Sequence, residues 1–168
     1  MFSSDQIRQY IQIALDEAKK ASEEGNYPIG SLIVNVNGNI ESRDRNQCST
    51  NADVTAHSEI LGIRKLGSKV NKDTLGEYYL FSSLEPCFGC SFFIARTNIK
   101  YIISALKDPH KGGTSDLHTL GQFKHFFKHI ELTNEPFEDL KEQSRQLMIN
   151  YFLKLGRKDA AKFYETRN

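Results

Sequence analysis

Two short segments of this chain carry residue types that can hold a metal ion and use it. In Thr55-Ala56-His57-Ser58-Glu59-Ile60 an imidazole and a carboxylate stand two positions apart, and in Pro86-Cys87-Phe88-Gly89-Cys90 two thiols stand three positions apart. Two thiolates and one imidazole suit zinc, which takes sulfur and nitrogen donors in a tetrahedral arrangement. With only three protein donors in sight, the fourth position is left for water, the arrangement of a catalytic zinc site and not of a closed structural one. Glu59 is expected to stay off the metal, because two residues along a helix carry a side chain about 200° around its axis. Its carboxylate suits proton transfer between water and a substrate nitrogen.

These segments need rigid elements to bring them together. Hydrophobic spacing predicts helices over residues 56–66 and from Pro86, at the first helical position, to about residue 97, so that Cys87 and Cys90 share a face near a helix start. A start of this kind favours thiolates through the unpaired N–H groups and the macrodipole. Before them, Ser3-Ser4-Asp5-Gln6 resembles a capping box, and Ile7, Tyr10, Ile11, Ala14, Ala18 and Ala21 follow at helical spacing as far as about Gly25. Residues 29–36 are β-rich, Asn37-Gly38 signals a two-residue hairpin, and a return strand is expected over 39–45. Further strands are expected over 78–82, 100–106 and 130–133, a loop over 108–115 around Pro109, Gly112 and Gly113, and an amphipathic helix over 137–154. This alternation predicts an α/β fold, a three-layer α/β/α sandwich around a mixed sheet of about five strands. No repeat, low-complexity block or linker interrupts the chain, so one domain over 1–168 is expected, with a helical extension from about residue 136.

Composition narrows the classes of function. The chain has 168 residues, 22 Lys+Arg against 21 Asp+Glu and 39% hydrophobic residues, which fits an ordinary soluble globular domain. A chain of this size buries enough surface to fold without a disulfide or a structural metal, so metal ligands call for a chemical explanation. A net charge of +1 excludes a broadly basic nucleic-acid coat and an acidic tail. No basic leader segment or apolar run of about 20 residues is present, so a cytoplasmic protein with no membrane partner is expected. Three cysteines, an odd number, argue against a disulfide framework. Cys48 has no partner at ligand spacing and reads as a small buried or half-buried thiol. Phe92 and Phe93 read as core residues between helix and sheet, while Phe88 faces either core or substrate. His110 lies in the loop nearest the two motifs, whereas Lys154, Arg157, Lys158, Lys162 and Arg167 read as a solvated helix face.

The pair His57-Ser58-Glu59 and Pro86-Cys87-Phe88-Gly89-Cys90 resembles the zinc-dependent cytidine and nucleobase deaminase superfamily, whose signature is H-x-E followed by P-C-x-x-C. Tyr27-Pro28-Ile29-Gly30, Asn46, Ser83-Leu84-Glu85 and Asp108-Pro109-His110-Lys111-Gly112-Gly113 extend the resemblance towards the branch that includes tRNA adenosine deaminases, guanine deaminases and yeast-type cytosine deaminase. The resemblance implies one Zn²⁺ held by His57, Cys87 and Cys90, with Glu59 as proton shuttle and ammonia as the leaving group. It also implies that Asn46, Pro28, Ala56, Phe88 and Asp108 line the substrate pocket and that the chain forms a homodimer. The substrate is then a free nucleobase or nucleoside, or an adenosine in a tRNA anticodon loop. Ser91-Phe92 and Phe127-Lys128 depart from the tRNA enzymes, which usually carry Gly-Ala and Asn-His there, and this favours the small substrate. A third reading is a deaminase-fold partner subunit without activity, and the intact Glu59 argues against it.

Overall fold

The computed structural model describes residues 2–71, 77–109, 112–117 and 119–165. His110, His118 and Arg167 lie outside the described residues. The chain begins with helix α1 (Ser4–Glu23), whose capping box is formed as expected: Ser3 Oγ accepts from the Gln6 N–H and Gln6 reaches back to the Ser3 N–H. Strands β1 (Gly30–Asn35) and β2 (Ile40–Arg45) follow, then α2 (Ser58–Leu66), β3 (Tyr78–Ser82), α3 (Phe88–Ile94) and β4 (Ile99–Ser104). Two single turns, α4 (Thr114–Leu117) and α5 (Lys124–Phe127), precede β5 (Glu131–Asn134), and α6 (Glu138–Lys154) and α7 (Lys158–Glu165) come last.

The five strands form one mixed sheet in the order β2-β1-β3-β4-β5. β1 is antiparallel to β2 and β3, and β3, β4 and β5 are mutually parallel. The period-2 alternation of strand side chains builds two apolar layers. Ile33, Leu80 and Ile102 face α2, α3 and the turns before β5, whereas Leu32, Val34, Tyr79, Phe81 and Ile103 face α1 and Leu140 of α6. The three-layer sandwich is therefore the observed architecture. Among the described residues, no helix is long and apolar enough to cross a membrane.

Three local expectations change. The hairpin has a four-residue connection, because Asn35 Oδ1 accepts from the N–H groups of Asn37 and Asn39 and ends β1 early. Gly38 takes the left-handed conformation there, at φ +86°. The third helix begins at Phe88 and not at Pro86, since Cys87 is extended, with ψ 170°. Phe92 and Phe93 are 37% and 54% exposed: the sheet-facing side of α3 is taken by Cys90 and Ile94, which leaves their rings outside the core.

A third apolar cluster lies beyond the carboxyl ends of β3 and β4. Leu84 and Leu106 meet Met148, Tyr151 and Phe152 of α6, Ala161 and Tyr164 of α7, and Tyr27 and Ile29 ahead of β1. It sits against the mouths of the parallel strands, where open α/β sheets carry their sites.

Candidate active site

His57 and Cys87 occupy equivalent places, each the residue just before a helix. Both have extended backbones, and neither makes the side-chain capping bond that a serine or aspartate would make there. Their side chains turn instead towards each other. His57 Nδ1 lies 3.7 Å from Cys87 Sγ and 3.4 Å from Cys90 Sγ. All three donor atoms fall within 4.8 Å of one another. A tetrahedral zinc with Zn–S of about 2.3 Å and Zn–N of about 2.05 Å sets N and S about 3.6 Å apart. The trio fits that ion. His57, Cys87 and Cys90 are placed to bind zinc through one nitrogen and two sulfurs, and Glu59 is not part of the trio.

The charge state of the sulfurs agrees with this. A hydrogen bond from Cys90 holds Cys87 down to about 4, against burial and with help from His57. The Cys90 thiol is pushed up by its bond to Cys87, by burial and by the charge of Glu59. A bound divalent ion would hold both sulfurs as thiolates.

Glu59 is buried just inside α2, its Oε2 accepting 2.9 Å from Ser58 Oγ. Burial raises its pKa, as does the charge of Cys87, while its own backbone N–H, His57 and Ser58 oppose the rise. The expectation that His57 and Glu59 point apart by helical geometry changes: His57 precedes the helix, so its extended backbone lets both side chains line one cavity.

That cavity is about 260 Å³. Asn46 and Asp108 are in its wall with His57, Glu59 and Cys87. Asn46 Oδ1 accepts from the Cys48 N–H, and the Asn46 side chain also hydrogen-bonds the Cys48 sulfur. Pro28, Ala56 and Phe88 are not wall residues. Pro28 is buried between the wall residues Tyr27 and Ile29, Ala56 serves through its carbonyl, which accepts from the Gln47 N–H, and Phe88 is 46% exposed at the outer start of α3.

Sequence reasoning missed much of the remaining wall. Cys48 is there, half-buried, its thiol pushed up by burial. Met148 and Phe152 come from α6, and Arg157, Ala160 and Tyr164 from the last turn of the chain and α7. Tyr164 Oη donates to Asp108 Oδ1 at 3.1 Å, and the Arg157 guanidinium lies 5.5 Å from the Phe152 ring centre. The signal was present as spacing: Ala160, Ala161 and Tyr164, at i, i+1 and i+4, share the covered side of α7.

The chain is similar to known proteins along most of its length. The family model for the cytidine and deoxycytidylate deaminase zinc-binding region matches residues 4–106, which hold all three zinc donors and Glu59. A tRNA-specific adenosine deaminase of Aquifex aeolicus (strain VF5) is 30% identical over 146 residues, covering 87% of this chain and 93% of that protein. A structure from work on A-to-I editing by tRNA:A34 deaminases at the wobble position of transfer RNA superposes with a TM-score of 0.67 at 26% identity, covering 83% of this chain and 99% of that one. The structure of a guanine deaminase from Nitrosomonas europaea has the same TM-score, 0.67, at 16% identity, covering 90% and 86% of the two chains, a likeness of fold. By the family model and by a zinc-ready His57-Cys87-Cys90 trio, the chain belongs to the cytidine and deoxycytidylate deaminase family of zinc-dependent hydrolytic deaminases.

Proposed function

We propose that the protein hydrolyses the exocyclic amine of a free nucleobase or nucleoside to an oxo group, releasing ammonia. One observation carries the choice of a small substrate. The end of α6 and α7 lie across the cavity, tied down by the Tyr164–Asp108 hydrogen bond, and leave a space of about 260 Å³. That is just under the range usual for drug-sized ligands, and of a size suited to one base.

When bound, zinc supplies acidification of water. Glu59 is the proton carrier of this reading. Its Oε2 is held by Ser58, so Oε1 takes the proton of the attacking water and delivers it to the ring nitrogen beside the amine-bearing carbon; it then takes the proton of the hydroxyl now on that carbon and gives it to the amino group, which leaves as ammonia as the oxo group forms. Burial raises the pKa of this carboxylate, which favours its taking up a proton. The Asn46 amide nitrogen donates to a ring nitrogen or carbonyl of the base, and the Tyr27, Ile29, Leu84 and Met148 side chains exclude water around it.

The second reading is adenosine deamination in a tRNA anticodon loop. The Aquifex aeolicus relative favours it, because the similarity runs through nearly the whole of that tRNA-specific enzyme. An ammonia assay separates the two. Cytosine, guanine, adenine and their nucleosides are offered beside an anticodon stem-loop, and turnover of at least one small compound is expected, with the stem-loop unchanged. Inosine formation in the stem-loop with every small compound inert would replace the first reading by the second.

The reading includes a homodimer. Phe88, Phe92 and Phe93 expose rings on one side of α3, and the Phe126 ring lies 6.3 Å from Phe92, an aromatic patch on the element that carries the zinc cysteines. Sedimentation velocity is expected to give a dimer mass for the native chain and a monomer mass for Phe92→Glu/Phe93→Glu. A native chain that stays monomeric at tens of micromolar would remove the dimer.

A further inference from the structure

Leu84 and Glu85 reach the cavity wall, and the structure also locks the Glu85 and Gly112-Gly113 segments together beside the zinc cysteines. Cys87 and Gly112 pair as an isolated antiparallel bridge, and the Gly113 N–H donates to the Pro86 carbonyl at 3.0 Å. The approach leaves no room for a side chain. A Cβ on Gly113 would sit 2.3 Å from Phe88 N and 2.6 Å from Cys87 C, and one on Gly112 would sit 2.6 Å from the Asp108 carbonyl oxygen and 2.7 Å from Glu85 Oε2. Backbone therefore packs on backbone where the cysteine turn bends.

Side chains fasten the contact at both ends. Glu85 Oε1 accepts from the Ser115 N–H at 2.7 Å and from the Ser115 hydroxyl at 2.6 Å. On the far side, Ser91 Oγ donates to the Pro86 carbonyl at 3.1 Å and stands 2.7 Å from Thr114 Oγ1. Glu85, Ser91 and Thr114 are all buried. Glu85 Oε2 has no hydrogen-bond partner among the described residues, and a buried carboxylate oxygen in that state costs stability. Its place two residues before a zinc ligand calls for a local reason.

We propose that residues 112–115 form a buttress for the metal site, and that Glu85 and Gly113 are positioning residues that hold the Cys87–Cys90 turn in its zinc-binding geometry. The inference rests on the zinc trio and not on the choice of substrate. Ser91 then has a physical role, since its hydroxyl joins the buttress to the cysteine turn.

The test measures zinc affinity by chelator competition and the visible spectrum of the cobalt-substituted protein, on variants shown to be folded by circular dichroism. Losing a partner outside the ligand sphere typically costs 10–100-fold in metal affinity. Glu85→Ala is expected to fall in that range, and Gly113→Ala, which forces a Cβ against Phe88 N and Cys87 C, to weaken zinc at least as far, both with altered cobalt-band energies. Glu85→Gln is expected to recover most of the affinity, because its carbonyl oxygen still accepts from Ser115. Ser115→Ala loses one of the two bonds and should weaken zinc about fivefold. If Glu85→Ala does not fold, Glu85→Gln and Ser115→Ala decide alone. Zinc affinity and cobalt bands within twofold of the native chain for every folded variant would overturn the proposal, whereas a native chain that binds no zinc would overturn the trio itself.

Discussion

Glu59→Gln lowers kcat by about 10²–10⁴-fold while the chain still takes up one zinc. The range is that of a lost general acid–base. Glutamine keeps the shape of the side chain and an oxygen to accept from Ser58, so the helix start and the cavity remain. What it lacks is a site that can take a proton from water and return it to nitrogen. Glu59 stands outside the donor trio, so zinc content measured by atomic absorption should not change. Single-turnover ammonia release on the best small substrate reads the loss. A variant that retains native kcat with full zinc would place the shuttle elsewhere.

The second large effect follows removal of a zinc donor. Cys90→Ala should lose zinc affinity by more than the roughly 10–100-fold attached to an outer partner, and activity should fall to background. The fold should survive. Of the two apolar layers on the sheet, the one with Leu32 and Phe81 holds no zinc donor, and the one with Leu80 and Ile102 loses only the Cys90 sulfur. Chelation of the native chain should give the same loss, reversed by added zinc. Apo protein should melt below holo protein, since a ligand that binds only the folded state stabilises it by mass action. Full activity in a zinc-free Cys90→Ala preparation would contradict the role of the trio.

The zinc donors were legible because their chemistry is carried by residue type and short spacing. His57, Cys87 and Cys90 need only two helix starts to meet, and alternating strands and helices announced both. What spacing could not convey was the backbone of the ligands themselves. His57 and Cys87 read as helical but stand one residue outside their helices, which changes where Glu59 lies relative to His57. Phe92 and Phe93 were misplaced for another reason: a run of apolar residues does not say which of them face this chain's own sheet. Cys48 gave no signal, because a cysteine without a partner at ligand spacing looks like any small buried residue. Tyr164 was hidden by distance, its contact with Asp108 joining residues 56 positions apart.

The division of the cavity wall along the chain has a consequence for how such a protein diversifies. The zinc donors and Glu59 fall within residues 4–106, whereas Asp108, Met148, Phe152, Arg157, Ala160 and Tyr164 come after that stretch. Bond cleavage is thus inherited on one portion of the polypeptide, whereas guest selection draws on both, with Tyr27, Ile29 and Asn46 before residue 106 and Met148, Phe152 and Tyr164 after it. Mutation can retailor the closing third for a new guest while the machinery that expels nitrogen stays as it was.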